Sequence, residues 1–170
     1  IYVYAMAQAD GYESVYLTDS KNETSEIALS SANILGPIQA VLDDSSNVIL
    51  RTKKINEDGS TIYPQIAQIK LPAAIKQPLL ILVPSTESEP YEGLIIDLSP
   101  ECFPIGSYLL INLTSMDIRG KLGDSQILAP ADSETSIVPA SSEEELLNID
   151  GFAGRSRTEL SKVVPTLLKS

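Results

Sequence analysis

Three apolar runs crowd the middle of the chain: Leu79-Leu80-Ile81-Leu82-Val83, Leu94-Ile95-Ile96-Asp97-Leu98 and Tyr108-Leu109-Leu110-Ile111-Asn112-Leu113. Each is of strand length and fenced by Pro, Gly and Ser, the pattern of strands buried on both faces or nearly so. The connections between them are too short for helical crossovers, which predicts antiparallel neighbours in the centre of a β-sandwich.

The flanking sequence keeps the same grammar. Ile1-Tyr2-Val3-Tyr4-Ala5-Met6-Ala7 alternates and predicts a first strand, and Asp10-Gly11 predicts a hairpin into Ser14-Val15-Tyr16-Leu17. In Glu26-Ile27-Ala28-Leu29-Ser30 the apolar residues share one face, which predicts a half-exposed strand. Ile38-Gln39-Ala40-Val41-Leu42 and Val48-Ile49-Leu50-Arg51-Thr52 flank an Asp43–Asn47 loop and read as a second hairpin. A further turn is centred on Asp58-Gly59. Pro64 confines the run that follows to an edge or a bulge, and the Pro-bracketed segment 71–78 predicts a crossing between sheets. Runs at 118–123, 126–130 and 135–139 bring the total to roughly ten short strands with regular turns, the mark of a sandwich or barrel.

After Pro139 the pattern changes. Ser142-Glu143-Glu144-Glu145 and Ser156-Arg157-Thr158-Glu159 both match a capping box. Leu160, Val163, Val164, Leu167 and Leu168 follow at helical spacing, although Pro165 interrupts them and leaves an extended tail as the alternative. The expected organisation is a β-sandwich over residues 1–139 and a short helical or extended segment over 140–170, packed back on that domain. The fold class is mainly β: an immunoglobulin-like or jelly-roll-like antiparallel sandwich with one or two short C-terminal helices.

Composition narrows the chemistry. The chain of 170 residues is long enough to bury roughly 70% of its unfolded surface, so it needs no staple. Twelve basic residues against 23 acidic give a net charge of −11, a field that repels phosphate backbones, so no nucleic-acid partner is expected. With no histidine, a Ser-His-Asp triad, a Cys-His pair and a His-ligated metal are all excluded within this sequence. The one cysteine, Cys102, has no internal partner and reads as a small buried apolar side chain beside Phe103. No G-x-S-x-G motif or glycine-rich phosphate loop occurs, and no run approaches the ~20 apolar residues of a membrane span.

The acidic positions Asp43-Asp44, Glu57-Asp58 and Asp132 with Glu134 lie in loops without calcium-loop spacing, and read as solvated turns. Asn22-Glu23-Thr24 and Asn112-Leu113-Thr114 are formal glycosylation sequons read as chance matches, the second because its strand is expected to be buried. The sequence therefore nominates no catalytic, cofactor-binding or metal-binding residue, and no cofactor. A first residue of Ile fits a removed signal peptide, and equally a trimmed boundary.

One stretch carries a resemblance. Phe103-Pro104-Ile105-Gly106-Ser107 leads into Tyr108-Leu109-Leu110-Ile111-Asn112-Leu113-Thr114, followed by Ile118-Arg119-Gly120-Lys121-Leu122-Gly123 and Ile127-Leu128-Ala129-Pro130. Over about 30 residues this resembles uncharacterised exported bacterial β-sandwich proteins, in which an FP-x-G-S turn leads a strand ending N-x-S/T. The resemblance implies a Greek-key sandwich outside the cytoplasm (periplasmic, cell-surface or secreted) and carries no catalytic residues. The expected function is non-catalytic: an exported or cell-envelope domain that mediates protein interaction, assembly or self-association. A ligand-binding module for polysaccharide or calcium is the alternative.

Overall fold

Among the described residues, the segment Pro78–Pro84 forms the most deeply buried strand, with Leu79, Leu80, Ile81 and Leu82 all fully enclosed. Consecutive side chains on a strand point to opposite faces, so four buried neighbours mean both faces are covered, as the unbroken apolar run predicts. In this computed structural model, residues 1–18, 23–85, 88–122, 125–138, 147–148 and 166–169 are described. The protein is mainly β, built from several sheets, and divides into two compact units, Ile1–Leu98 and Ser99–Ser170.

The first unit holds β1 (Tyr2–Ala5), β2 (Ser14–Thr18), β3 (Thr24–Ala28), β4 (Asn47–Arg51), β5 (Lys54–Ile55), β6 (Thr61–Ile62), β7 (Gln65–Lys70), β8 (Pro78–Pro84) and β9 (Tyr91–Asp97). One sheet runs β1-β8-β9 and the other β3-β2-β4-β7, with β5 and β6 as a separate small hairpin. The sheets share a single core. Val3, Ala5, Leu80, Leu82 and Tyr91 come from the first, and Val15, Leu17, Ile27, Val48, Leu50, Ile66, Ala67 and Ile69 from the second. Two sheets closed over one apolar layer make a sandwich.

The second unit holds β10 (Tyr108–Asn112), β11 (Ile118–Leu122), β12 (Ser125–Ala129), β13 (Ser133–Ile137), β14 (Leu147–Asn148) and β15 (Thr166–Lys169). Its sheets are ordered β13-β10-β15 and β12-β11-β14, and Leu110, Ile118, Leu122, Ile127, Ala129 and Ile137 form its core.

Pairing departs from the sequence reading in several places. The Asp10-Gly11 turn is present, with Gly11 at φ 81° and Tyr12 N–H donating to Ala9 O at 2.9 Å. It makes no hairpin: β1 pairs in parallel with β8, while β2 pairs with β3 in the opposite sheet. Val3 and Ala5 thus contribute to the shared core from one sheet, Val15 and Leu17 from the other. The expected strand at 38–42 shrinks to a single bridge, Leu42 with Val48, because Val41 N–H donates to Thr18 O and β4 takes β2 and β7 as neighbours. The segment 71–78 does cross between sheets, and β7 is an edge strand directly after Pro64, as expected.

The three central runs are all strands, and β8 and β9 pair antiparallel over seven residues. β10 instead pairs with β13 and β15. The expected sandwich over 1–139 therefore spans all of the first unit and much of the second, and the division falls at Leu98 and Ser99. Among the described residues, no sheet contains strands from both units, and each unit has a core cluster of its own. The expected helices lie mostly outside the described residues. Where the tail is described, Leu147–Asn148 pairs with β11 and Thr166–Lys169 with β10, both as strands.

Candidate functional site

Four strands form the outer edges of the two sheets in the first unit, and an outer strand presents backbone N–H and C=O groups that another chain can pair with. Three of the four are blunted. β1 is covered by the segment after Ala28: Val3 and Leu35 exchange both backbone bonds at 2.8 Å, Ala5 N–H donates to Ser30 O, and Ile38 N–H to Ile1 O. β3 exposes the Glu26 carboxylate at its centre. β7 turns Gln65, Gln68 and Lys70 outward.

β9 is different. Between Glu92 and Asp97 it carries Gly93, Leu94, Ile95 and Ile96, with no charge, no proline and no register shift against β8. Its backbone direction follows from two bonds at its ends. Ser85 N–H donates to Pro90 O at 3.0 Å, and Leu98 N–H donates to Gln77 O at 2.9 Å, so positions 90 and 98 face β8. Alternation then turns Glu92, Leu94 and Ile96 toward β8, and aims the N–H and C=O groups of Tyr91, Gly93 and Ile95 away from it. Among the described residues, those outward groups have no hydrogen-bond partner. Unpaired main-chain groups in a row are the template for strand addition.

The side chains hold this edge in place. The ring of Tyr91 is buried in the core, and its hydroxyl donates to Tyr12 O and accepts from Ala9 N–H, both at 2.9 Å. The rings of Tyr91 and Tyr12 meet edge to face at 6.5 Å. Burial pushes the Tyr91 pKa up, which keeps the hydroxyl a donor. Gly93 lets the two sheets approach, since a Cβ there would lie 2.4 Å from Ile69 Cδ1 of β7. Beside it an open groove of about 470 Å³ runs between Ile69, Lys70 and Pro72 on one side and Gly93, Leu94 and Ile95 on the other. The edge thus sets a row of outward main-chain groups beside half-buried apolar side chains.

Comparison with family models, with curated proteins and with solved structures finds no match to this chain.

Two of the acidic residues singled out in the sequence, Asp43 and Asp58, hold their own loops together. Asp43 Oδ1 accepts from Ser45 N–H and Asn47 N–H at 2.9 and 2.8 Å, and its Oδ2 from Asn47 Nδ2 and Gln68 Nε2 at 2.8 and 3.2 Å. The bonds from Asn47 hold the Asp43 carboxyl below its usual pKa. Asp58 Oδ1 accepts from the Ser60 amide and hydroxyl, which lowers its pKa likewise. Glu57, Asp132 and Glu134 are exposed, and among the described residues no group of three or more acidic or cysteine side chains converges on a metal site.

Asn112 of the second sequon is buried. Its Nδ2 donates to Met116 O, Ala129 O and Pro130 O, and its Oδ1 accepts from the Thr114 amide and hydroxyl. Asn22 of the first sequon lies outside the described residues. Cys102 is exposed, contrary to expectation. The turn after Ser99, where Cys102 and Phe103 both donate N–H to Ser99 O at 2.9 and 2.8 Å, sends Phe103 inward instead. Sequence reasoning passed over β9 as a site, although the uncharged stretch between Glu92 and Asp97 was visible.

Proposed function

We propose that this chain is a non-catalytic exported or cell-envelope domain that works through protein association, accepting an extended strand at the β9 edge. The observation that carries the reading is the row of outward main-chain groups at Tyr91, Gly93 and Ile95 beside an apolar groove. Strand addition draws affinity from main-chain bonds and specificity from alternate side chains in such grooves. The extracytoplasmic setting rests on the likeness of Phe103 to Pro130 to exported sandwich proteins.

The test is site-specific photocrosslinking in the cells that make the protein, with the reactive side chain at Glu92 on β9 or at Glu26 on β3. Adducts are expected at Glu92 alone, and Ile95→Pro should abolish them. The N–H of Ile95 points outward, so proline there removes no bond to β8 but deletes a donor for the incoming strand. Adducts equal at both positions, or unaffected by Ile95→Pro, would overturn the proposal.

One observation favours polysaccharide as a second reading. Tyr16 and Tyr63 form a half-exposed aromatic pair, 5.2 Å between ring centres, and Arg51 of β4 donates to Tyr63 O at 3.0 Å. A sugar ring stacked there would lose its binding in Tyr16→Ala and keep it in Ile95→Pro.

A further inference from the structure

We propose that the strand accepted at this edge is β9 of a second copy of the chain, paired antiparallel about a two-fold axis at Leu94. The inference rests on the strand-acceptor reading above and names its partner. Leu94 is the middle residue of the seven in β9, so an axis there overlaps the whole strand with its copy. Antiparallel pairing must set outward-pointing residues against outward-pointing ones. This register does so: Gly93 lies opposite Ile95 of the second copy, and Tyr91 opposite Asp97. The remaining positions set Glu92 opposite Ile96 and Leu94 opposite itself, so no two carboxylates face each other.

Neighbouring registers are worse. An axis at Gly93 or at Ile95 shortens the overlap within the strand to five residues, and at Gly93 it also sets Glu89 opposite Asp97. A slip of one residue sets Glu92 opposite Asp97 and brings inward-facing groups against outward-facing ones, which cannot bond. Like charges directly opposite are destabilising. A full overlap that sets no carboxylate against another is what favours a second copy as the occupant. Isologous contacts of this kind are the commonest route to dimers. The product is a continuous sheet of six strands, β1-β8-β9 joined to its copy through β9, with the groove beside Ile69 at the junction.

Single-cysteine variants in a Cys102→Ser background test the register. At the axis, the two Leu94 Cα atoms would stand about 4.5 Å apart, within the ~4.4–6.8 Å that a disulfide spans. The two Glu92 positions would be offset by four residues, roughly 13 Å. Under mild oxidation Leu94→Cys should form a covalent dimer at least tenfold faster than Glu92→Cys, and an equal mixture of Glu92→Cys and Ile96→Cys should form the mixed dimer. Leu94→Lys, folded by circular dichroism, should be monomeric by light scattering where the unaltered chain is dimeric. Leu94→Cys reacting no faster than Glu92→Cys overturns the proposal. If a different protein crosslinks at Glu92 while Leu94→Cys stays monomeric, self-pairing falls and the strand-acceptor reading stands. If neither crosslink forms, both fall.

Discussion

Gly93 on β9 lies directly over Ile69 on β7, close enough that a Cβ at position 93 would stand 2.4 Å from Ile69 Cδ1 and 2.5 Å from Cγ1. The glycine is there for space, since the strand backbone at this point is not of the positive-φ kind. Ile69 is itself buried in the core of the first unit. Gly93→Ala should therefore cost about 1–3 kcal/mol, the usual range for overpacking. Urea unfolding measures it, and adding Ile69→Val should recover part of the loss. An additive double variant would mean that the two side chains do not meet.

Asn112 ties three carbonyl groups and the Thr114 turn into one buried node. Asn112→Asp would aim a carboxylate at those carbonyls, and an unpaired buried charge is far more costly than a lost neutral bond. The expected result is failure of the second unit to fold. Thr114→Ala removes only hydroxyl bonds and should cost about 1 kcal/mol by thermal unfolding. In a glycosylating host, mass spectrometry should find Asn112 unmodified, because its Nδ2 is enclosed.

The Asp43 carboxyl is held below its usual pKa by the bonds from Asn47. A depressed folded-state pKa contributes stability that is present above the unfolded value of about 3.9 and is lost as pH falls through the folded value. Asp43→Asn should thus unfold more readily than the unaltered protein near neutral pH, and the gap should narrow below about pH 4. Asp58→Ala, at an exposed hairpin tip, should change the midpoint much less. Denaturant midpoints across pH 3–7 decide both, and a gap that widens in acid contradicts the assignment.

Thr166–Lys169 pairs with β10 over four positions, Tyr108 with Lys169 through Ile111 with Thr166. Deleting residues 166–170 leaves one side of β10 without its neighbour. At about 0.2–1 kcal/mol for each cross-strand pair, the loss should be on the order of 1–3 kcal/mol in a thermal melt. Oligomeric state should not change, since the association surface proposed lies on β9. A deletion that abolishes a dimer and leaves stability intact would instead make the tail the docking element.

Much of the local structure was legible in the sequence. Alternation and turn residues located most of the strands but not β5, β14 or β15; Pro64 marked β7 as an edge, the Asp58-Gly59 turn formed, and the burial of β8 on both faces followed from its unbroken apolar run. These features depend on a few neighbouring residues, whose side-chain period and allowed dihedral angles are local properties. Partner choice was decided by the tertiary structure. β1 joined β8 in parallel and β2 turned to the opposite sheet; β10 paired within the second unit instead of beside β9; Cys102 faced outward while Phe103 took the interior. Main-chain donors and acceptors are the same at every residue, so a strand's own sequence says which face is apolar but not which strand lies alongside it. Only the closing of two sheets over one core leaves Tyr91, Gly93 and Ile95 with their main-chain groups outward, and that edge exists in no stretch of sequence read alone.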